Sequence, residues 1–430
     1  MHGEPLVVVV TPSVLRDSSR LISLVNTVEG LMDKYSLVLV AGPAYNVEEE
    51  LWRFTISPHR YSWERIVKTV MSRYASMARG AVTSERELEI LRGEYSRLSD
   101  DMARIAWTMA VAGESWEQAA ALLLSYGSKL SAALTAAALR SRGIEAVWLS
   151  GREAGIIAVG KPLNADPDYA ASSASVKAKI SILLEHGVVP VVAGGVAGSS
   201  TGRIMMLGWA GEVLTGLVLG NLLGAREVRV LREPPGIYPV EPPQPGAEPL
   251  RAIGVGQAVL LARLGLLRLT PKAGRNMVME VKLVYMGFTG QATHVTPVGG
   301  GGAVGIVPAI IGRPAPSGEE YCEIARVEVL GGKTVVVQEL GSRPFCSSKT
   351  RVVEAARATL LLLAGVKASP EQLGLKATAA LPASDDSYLV VVEEQNIEDI
   401  ALGIHARLRE GNTPLYTEPQ PQAPARAWNT

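Results

Sequence analysis

The sequence has little cysteine, little phenylalanine and no excess charge of either sign. Its 430 residues include two cysteines and three phenylalanines, and 42 Lys+Arg balance 42 Asp+Glu. Cys322 and Cys346 cannot build a disulfide framework, and neither has the spacing of a zinc site. A formal net charge of zero gives no general field that would hold a polyanion. These absences exclude a disulfide-rich secreted domain, argue against nucleic acid as a partner, and favour a reducing, cytoplasmic compartment.

Long hydrophobic runs free of polar residues are also rare. The apolar run near the N-terminus is short and lacks a preceding basic region, so it predicts a β-strand instead of a signal peptide. The longest apolar stretch, 204–225, is long enough to span a bilayer but contains Glu212, Asn221 and several glycines. We interpret it as a buried strand followed by a buried helix, with no membrane partner.

Aliphatic residues and glycine are abundant, at 47% hydrophobic residues and 43 glycines, as expected of two or three domains with sizeable cores. The β-branched run 6–10, the helical pattern 15–34 and the run 37–40 predict a right-handed βαβ unit with a covered parallel strand. A helical layer is predicted over 47–117. The small-residue helix 125–142 is suited to close packing against a sheet.

The stretch 188–238 organises the rest of the chain. It begins with a buried strand, continues through a glycine-rich loop and a second strand, and leads into an apolar helix near Gly211. Unpaired N–H groups and the helix dipole at such a helix start favour an anion, and phosphate is the first hypothesis. The alternative is that the glycines only permit tight turns between strand and helix.

The C-terminal third predicts a smaller unit. We expect a first domain over 1–297, a Gly/Pro-rich linker or irregular segment over 298–330, a small α+β unit over 331–412 and a disordered tail over 413–430. Within that unit the pattern predicts strands over 333–340, 375–381 and 387–393. It predicts helices over 350–364 and 397–408.

Taken in order, these segments resemble the aspartate kinases of the amino-acid-kinase superfamily. The resemblance rests on the order and spacing of its landmarks, since no single one is strong. They are Val7–Ser13, Ser125–Ala132, Val189–Gly195, Leu207–Val213, Glu233–Tyr238, Leu269–Ala273 and, near the C-terminus, Ile404–Leu408.

The resemblance implies an α/β fold: a three-layer α/β/α amino-acid-kinase-like domain with a mainly parallel central sheet, plus a small α+β ACT-like (ferredoxin-like) domain. In that family a substrate carboxylate attacks the γ-phosphoryl of ATP, with Mg2+ present, and catalysis is mostly positioning and charge neutralisation. The positions that fall on the nucleotide site are Gly194, Gly195, Gly198, Arg203, Gly208, Gly211, Glu233, Gly236, Tyr238 and Lys272. Those that fall on the substrate-like pocket are Ser128, Trp209 and Val213.

The chain departs from the family pattern at the residues that would carry the chemistry. Ser128 replaces a glutamate, Trp209 an arginine and Val213 an aspartate, and the sequence begins at the strand that follows the family's lysine-bearing first strand. Losing an arginine–carboxylate clamp removes the main anchor of a substrate. Glu212, at a helix start, would itself satisfy the helix dipole and repel a phosphate.

The sequence therefore favours a catalytically degenerate, cytoplasmic homologue with a regulatory or ligand-sensing role in aspartate-family amino-acid metabolism. The resemblance implies a homo- or hetero-oligomer formed through the ACT-like domain, with a small amino-acid ligand and no metal site. The alternative is an active aspartokinase-type kinase that uses ATP and Mg2+ to phosphorylate the carboxylate of aspartate or of another small acid. A purely structural scaffold would bind neither nucleotide nor amino acid.

Overall fold

The structure is a computed structural model that describes most of the chain. The described residues are 3–273, 282–297, 300–329, 332–339, 349–366, 372–373, 375, 377–384, 387–393, 396–409 and 416–417. The helices are α1 (Ser18–Met32), α2 (Val47–Ile56), α3 (Trp63–Ala81), α4 (Glu85–Ala112), α5 (Glu117–Arg140), α6 (Tyr169–Val176), α7 (Ile182–Glu185), α8 (Gly211–Leu223), α9 (Val255–Arg263) and α10 (Ile397–Arg409). A 3-10 turn covers Pro58–Arg60, and a π-helical turn, Lys177–Ser181, joins α6 to α7.

Twenty strands lie within the same described part of the chain. They are β1 (Glu4–Val10), β2 (Tyr35–Ala41), β3 (Ala146–Ser150), β4 (Ala158–Lys161), β5 (Asn164–Pro167), β6 (Val189–Ala193), β7 (Val196–Gly198), β8 (Ile204–Met206), β9 (Glu227–Leu231), β10 (Val240–Glu241), β11 (Ala252–Gly254), β12 (Lys282–Met286), β13 (Ala292–Thr296), β14 (Gly300–Gly301), β15 (Ala303–Val329), β16 (Gly332–Glu339), β17 (Lys349–Ala364), β18 (Ala377–Ser384), β19 (Ser387–Glu393) and β20 (Tyr416–Thr417).

The central sheet has eight strands in the order β11-β13-β12-β9-β1-β2-β6-β3. Six of its seven neighbouring pairs are parallel, and β12 with β13 is the antiparallel one. The predicted mainly parallel sheet is therefore confirmed. The βαβ unit predicted from the N-terminal sequence is β1, α1 and β2.

Alternating side chains of β1 place one core on each face of this sheet. Leu6, Val8 and Val10 pack with residues of α1 to α5, whereas Val7 and Val9 pack with α8 and α9. Helices thus cover both faces, as a buried parallel sheet requires. The three-layer α/β/α arrangement expected from the sequence is confirmed.

Helix α5 is long and apolar enough to cross a membrane by length and composition alone. However, 89% of its most apolar window is buried inside the fold. It packs against the central sheet and α4. This is the behaviour of a core helix, in agreement with the close-packing role predicted for its small residues.

A second, mostly antiparallel sheet has the order β10-β15-β17-β19-β18, with β16 beside β15. Helix α10 packs on it through Ile400, Ala401 and Ile404. The strands predicted over 333–340 and 375–381 and the last predicted helix are present with shifted ends, and the strand over 387–393 has the predicted bounds. The assignment of this unit as ACT-like stays a prediction, as do the domain boundaries.

Two segments of this second sheet differ from the sequence expectation. The helix predicted over 350–364 is wrong, because these residues form β17. Leu360 and Leu362 face one core while Leu361 and Leu363 face another. Such a strand is apolar throughout, and periodicity cannot distinguish it from a buried helix. Much of the segment predicted as a linker or irregular is the long strand β15.

The end of the chain also carries a short strand. Tyr416–Thr417 pairs antiparallel with Gly300–Gly301. This part of the predicted disordered tail is ordered by the pairing, and residues 418–430 lie outside the described residues.

Candidate functional site

Several parallel strands end at the same edge of the central sheet, and helix α8 begins there. In open α/β sheets, small ligands bind in the crevice outside the carboxyl ends of the strands. The side chain of Glu212, in the first turn of α8, lies over the ends of β2 and β6. A Cβ added at Gly42 would lie 3.2 Å from its Cγ, and one added at Gly194 would lie 2.5 Å from its Cβ.

The glycine loop lies directly against the start of α8. Gly195, at φ +75°, donates its N–H to Thr215 Oγ1 (2.9 Å), and its carbonyl accepts from Leu207 N–H (2.9 Å). A Cβ added at Gly211 would lie 2.8 Å from the Cα of Gly195. Close packing of helix and loop therefore accounts for these glycines, and the N–H of Gly195 is already engaged.

Arg268 is the centre of the site at these strand ends. Its Nε donates to Glu212 Oε1 (2.6 Å), and its Nη2 donates to Glu212 Oε2 (3.0 Å) and to Glu48 Oε2 (2.9 Å). The guanidinium carbon lies 4.2 Å from the centroid of the Trp209 ring. We name these four residues, Glu48, Trp209, Glu212 and Arg268, the arginine cluster.

The arginine cluster is buried, with 19% of the Arg268 side chain exposed, 10% of Glu48 and 2% of Glu212. Glu48 lies in the first turn of α2 and Glu212 in the first turn of α8. Each carboxylate thus lies at the positive end of a helix dipole. The two helix starts that face the strand ends already carry anions supplied by the chain itself.

Burial and charge shift the titration of the cluster. Burial raises the pKa of Glu48 to about 7, and the nearby charge of Arg268 offsets this only in part. Burial opposes the charge on Arg268, but the carboxylates of Glu212 and Glu48 outweigh it and raise the pKa of the guanidinium above its ordinary value. Arg268 therefore stays charged, and Glu48 is the group that can take up a proton near neutral pH.

The loop after β9, where the sequence places part of a nucleotide site, is tied into the fold. Glu233 Oε2 accepts from Arg20 Nη2 (2.8 Å), and Glu233 N–H donates to Ser13 Oγ (3.0 Å). The carbonyl of Gly236, a residue at φ +75°, accepts from Arg232 Nη1 (2.8 Å). The side chain of Tyr238 is buried.

The two cations that the sequence offers as phosphate ligands lie in different surroundings. Lys272 Nζ donates to the carbonyls of Asn164 (2.7 Å) and Ala165 (2.9 Å) in the β4–β5 hairpin. Arg203 is exposed beside the β7–β8 turn, where its N–H donates to Ser199 Oγ (3.0 Å). Gly198 ends β7. Lys272 is thus engaged by backbone oxygens that would compete with a phosphate.

The remaining predicted residues are placed as follows. Gly208, at φ +91°, precedes α8, and a Cβ there would lie 2.6 Å from Asn164 Oδ1. Val213 is fully buried in the core of α8. Ser128 is buried on α5, next to Gly127, whose added Cβ would lie 3.0 Å from Pro43 beyond the end of β2. Of the substrate-like set, Trp209 is the residue that belongs to the arginine cluster.

Sequence reasoning missed Arg268 and Glu48. A signal for Arg268 was present, because it is the single charged residue in the apolar run 264–269, where a buried charge requires a partner. Glu48 belongs to a row of three glutamates at a helix start, and the sequence does not distinguish which one turns inward.

The residues at the strand ends fit a phosphate group poorly. Arg268 is held by two carboxylates, Lys272 by two carbonyls, and Arg232 by Gly236 and Glu241. Within the described part of the chain, no group of three or more His, Cys, Asp or Glu is placed to hold a metal ion. No step of nucleotide chemistry can be derived from this arrangement.

The parallel sheet, the glycine loop and the helix start at the strand ends define a three-layer α/β protein of the class that binds ligands at this edge. Comparison with protein-family models refines this assignment. The model of the amino acid kinase family matches residues 5–284, and the chain belongs to that family.

Individual relatives in this family are aspartokinases. The chain is 31% identical over 158 residues to an aspartokinase of Thermus thermophilus, an alignment that covers 35% of this chain and 36% of the relative. It is 31% identical over 170 residues to the chloroplastic aspartokinase 3 of Arabidopsis thaliana, covering 38% of this chain and 30% of the relative. The matched part therefore spans about a third of the length of these relatives.

Solved structures extend the likeness in fold to nearly the whole chain. E. coli aspartokinase III in complex with aspartate and ADP matches with a TM-score of 0.73 at 16% identity, covering 94% of this chain and 100% of that chain. The same enzyme in complex with lysine and aspartate matches with a TM-score of 0.69. The aspartokinase-like fold expected from the sequence is confirmed.

Proposed function

We propose that this protein is a catalytically degenerate, aspartate-kinase-like regulator or ligand sensor in aspartate-family amino-acid metabolism. The observation that carries the proposal is the arginine cluster. It fills the strand-end edge of the sheet with the chain's own Arg268, Glu48 and Glu212. A site whose charges already satisfy one another offers little to an incoming anion.

The charge balance of the cluster supports this function. Two carboxylates face one guanidinium, so the cluster carries a net charge of −1 when Glu48 is ionised. A phosphate or a substrate carboxylate would have to displace Glu212, which makes two hydrogen bonds to Arg268. At the short distances and low dielectric of a buried site, like charges repel strongly.

The residues that replace the family's catalytic groups also favour a non-catalytic role. The apolar ring of Trp209 stands where the resemblance places a substrate-binding arginine, and Val213 is packed in the core. Neither side chain can accept a proton or form an ion pair with a carboxylate. Removing a single such electrostatic group slows related chemistry by orders of magnitude.

The remaining parts of this hypothesis concern partners and location. The second sheet with α10 would serve as an ACT-like module that pairs with another copy or with a competent kinase subunit and binds a small amino acid. The protein would act in the cytoplasm without ATP or Mg2+. The lysine–aspartate complex of E. coli aspartokinase III supports amino-acid ligands as the class to test first.

Two measurements on the full chain test the loss of phosphoryl transfer. Calorimetry with Mg-ATP is expected to give no saturable binding in the micromolar range. A coupled ADP-release assay with aspartate and a panel of small acids is expected to stay at the blank rate, with E. coli aspartokinase III as the positive control. Micromolar Mg-ATP affinity, or turnover above the blank, would contradict the proposal.

The second candidate is an active aspartokinase-type kinase that transfers the ATP γ-phosphoryl to aspartate or another small acid. Its support is the retention of the fold seen in the aspartate–ADP complex of the E. coli enzyme. It predicts turnover that Arg203→Ala or Lys272→Ala abolishes. Lys68→Ala, an exposed change on α3, is the matched control and should leave that turnover intact.

A further inference from the structure

A cavity of about 400 Å³ lies in the helical layer, and none of the four residues of the arginine cluster lines it. Its walls come from the end of α2, the 3-10 turn, the connection from α4 to α5 and the tip of the β4–β5 hairpin at Leu163. Pockets of about 300–1,000 Å³ are the usual size for small-molecule sites. The volume therefore suits a ligand with a single ring or a short chain.

The inner wall of this cavity, which we name the helical pocket, is apolar. Pro58 and Ala120 are buried in it, and the indole of Trp52 and the side chain of Leu163 complete it. At the mouth, the lining residue Ile56 is 39% exposed. An aromatic and aliphatic wall with an exposed apolar mouth is typical of a binding site for a partly apolar ligand.

The charges of the helical pocket have one sign. Glu114 and Glu117 line it, and among its described lining residues there is no lysine or arginine. The lining therefore favours a ligand with a positive charge and disfavours a carboxylate or phosphate.

Helix dipoles add to this preference. Helices α2 and α4 both end at the pocket, through Ile56 and Gly113, and so direct the negative ends of their dipoles toward it. The last turn of α4 contains no basic residue that would compensate, whereas Arg53 in the last turn of α2 offsets part of that helix's dipole. The positive end of α5 also starts here, but Glu117 in its first turn neutralises it.

We propose that the helical pocket binds a small organic cation: a primary amine or guanidine carried on an apolar or aromatic body. The apolar body packs against Trp52 and Leu163, and the charged group lies between Glu114 and Glu117 at the mouth. This site goes beyond the proposed function, because neither a degenerate nor an active strand-end site requires it.

The position of the pocket also connects it to the strand-end site. Leu163 is followed at once by Asn164 and Ala165, whose carbonyls hold Lys272. In the same hairpin, the carbonyl of Pro162 accepts from Met206 N–H (2.7 Å) at the end of β8. A ligand in the helical pocket would thus contact the same hairpin whose carbonyls bind Lys272.

Phenethylamine, a single-ring amine, is the probe, used with the full chain in titrations followed by ligand-detected NMR. For so small a ligand the expected Kd is about 1 mM. The neutral analogue 2-phenylethanol is expected to bind about fivefold more weakly, as for the loss of exposed ion pairs. The anion 3-phenylpropanoate should show no saturable binding.

The double variant Glu114→Gln/Glu117→Gln is expected to bind the amine and the alcohol equally. Glu85→Gln/Glu89→Gln, at the other end of α4, removes the same charge and should keep the preference for the amine. The four glutamates of these two double variants are exposed, so both variants are expected to keep the fold. The proposal is overturned if the amine does not bind saturably, if amine and alcohol bind alike, or if the first double variant keeps the preference.

Discussion

The arginine cluster makes a sharp prediction about stability. Arg268→Met removes the guanidinium and keeps a side chain of similar length, which leaves the carboxylates of Glu212 and Glu48 buried and facing each other. Breaking a buried ion pair by removing one partner costs about 3–5 kcal/mol. We expect a loss of that size in the free energy of unfolding at pH 7.5, measured by urea denaturation followed by far-UV circular dichroism.

The triple variant Glu48→Met/Arg268→Met/Glu212→Met separates the burial of unpaired charge from the loss of packing. Replacing a whole buried ionic group by apolar side chains of similar volume is often neutral or stabilising. We therefore expect the triple variant to recover most of the stability that the single variant loses. A double-mutant cycle that compares Arg268→Met, Glu212→Met and the double variant gives the coupling free energy between these two residues.

A surface ion pair provides the matched control. Arg104 pairs with Asp101 on α4, and both side chains are largely exposed. Arg104→Met is expected to change stability by less than about 1 kcal/mol, because solvent screens such pairs. The reasoning would be refuted if Arg268→Met cost no more than Arg104→Met, or if the triple variant were as unstable as the single one.

Three further predictions concern the same region. Because the pKa of Glu48 is about 7 when folded, against 4.5 ordinarily, the folded state binds the extra proton between these values. Stability should therefore fall as pH rises from about 4.5 to about 7, by roughly 3 kcal/mol at about 1.4 kcal/mol per unit, and Glu48→Gln should flatten urea midpoints across that range. Gly194→Ala places a Cβ 2.5 Å from the Cβ of Glu212 and should lower the free energy of unfolding by about 1–3 kcal/mol in the same denaturation assay. The control is Gly93→Ala in α4, where the added Cβ meets open space, and it should be neutral or stabilising by up to about 1 kcal/mol. Ala210, which precedes α8, has a φ of 54°, a left-handed conformation that strains any residue with a Cβ. Ala210→Gly should therefore raise the free energy of unfolding by about 0.5–1 kcal/mol, and an unchanged melting temperature would contradict the presence of this strain.

The parallel half of the fold could be predicted from the sequence because its signals are local. The composition of a segment such as 6–10 indicates that both of its faces are covered. In the same way, the small residues of α5 indicate a helix that packs closely against a sheet. The glycine loop was located correctly, and its alternative explanation, tight packing, accounts for Gly194 and Gly195. The hypothesis of degeneracy came from three substitutions, from the absence of the lysine-bearing strand in the given sequence and from Glu212 at the helix start, and it stays a proposal.

The second sheet and the arginine cluster could not be predicted in the same way. Residues 350–364 are predicted as a helix because a strand with a core on each face has no alternation of apolar and polar residues. Glu48, Glu212 and Arg268 are far apart in sequence, and their meeting depends on where α2, α8 and the loop after α9 converge. Such long-range pairing of buried charge is set by tertiary structure, so local patterns contain little information about it.

The two-residue strand β10 has a consequence for how the molecule responds to force and denaturant. Val240 and Glu241 follow the loop after β9, yet they pair in parallel with Val304 and Gly305 of the second sheet, and Glu241 is buried in an ion pair with Arg232. The chain that leaves β9 of the central sheet thus forms, a few residues later, an edge strand of the second sheet. Detaching the second sheet would expose the buried carboxylate of Glu241 together with the apolar edge of β15. The central sheet and the second sheet should therefore unfold together as one cooperative unit. A fragment that contained only one of the two sheets should be prone to aggregate through the exposed strand edge.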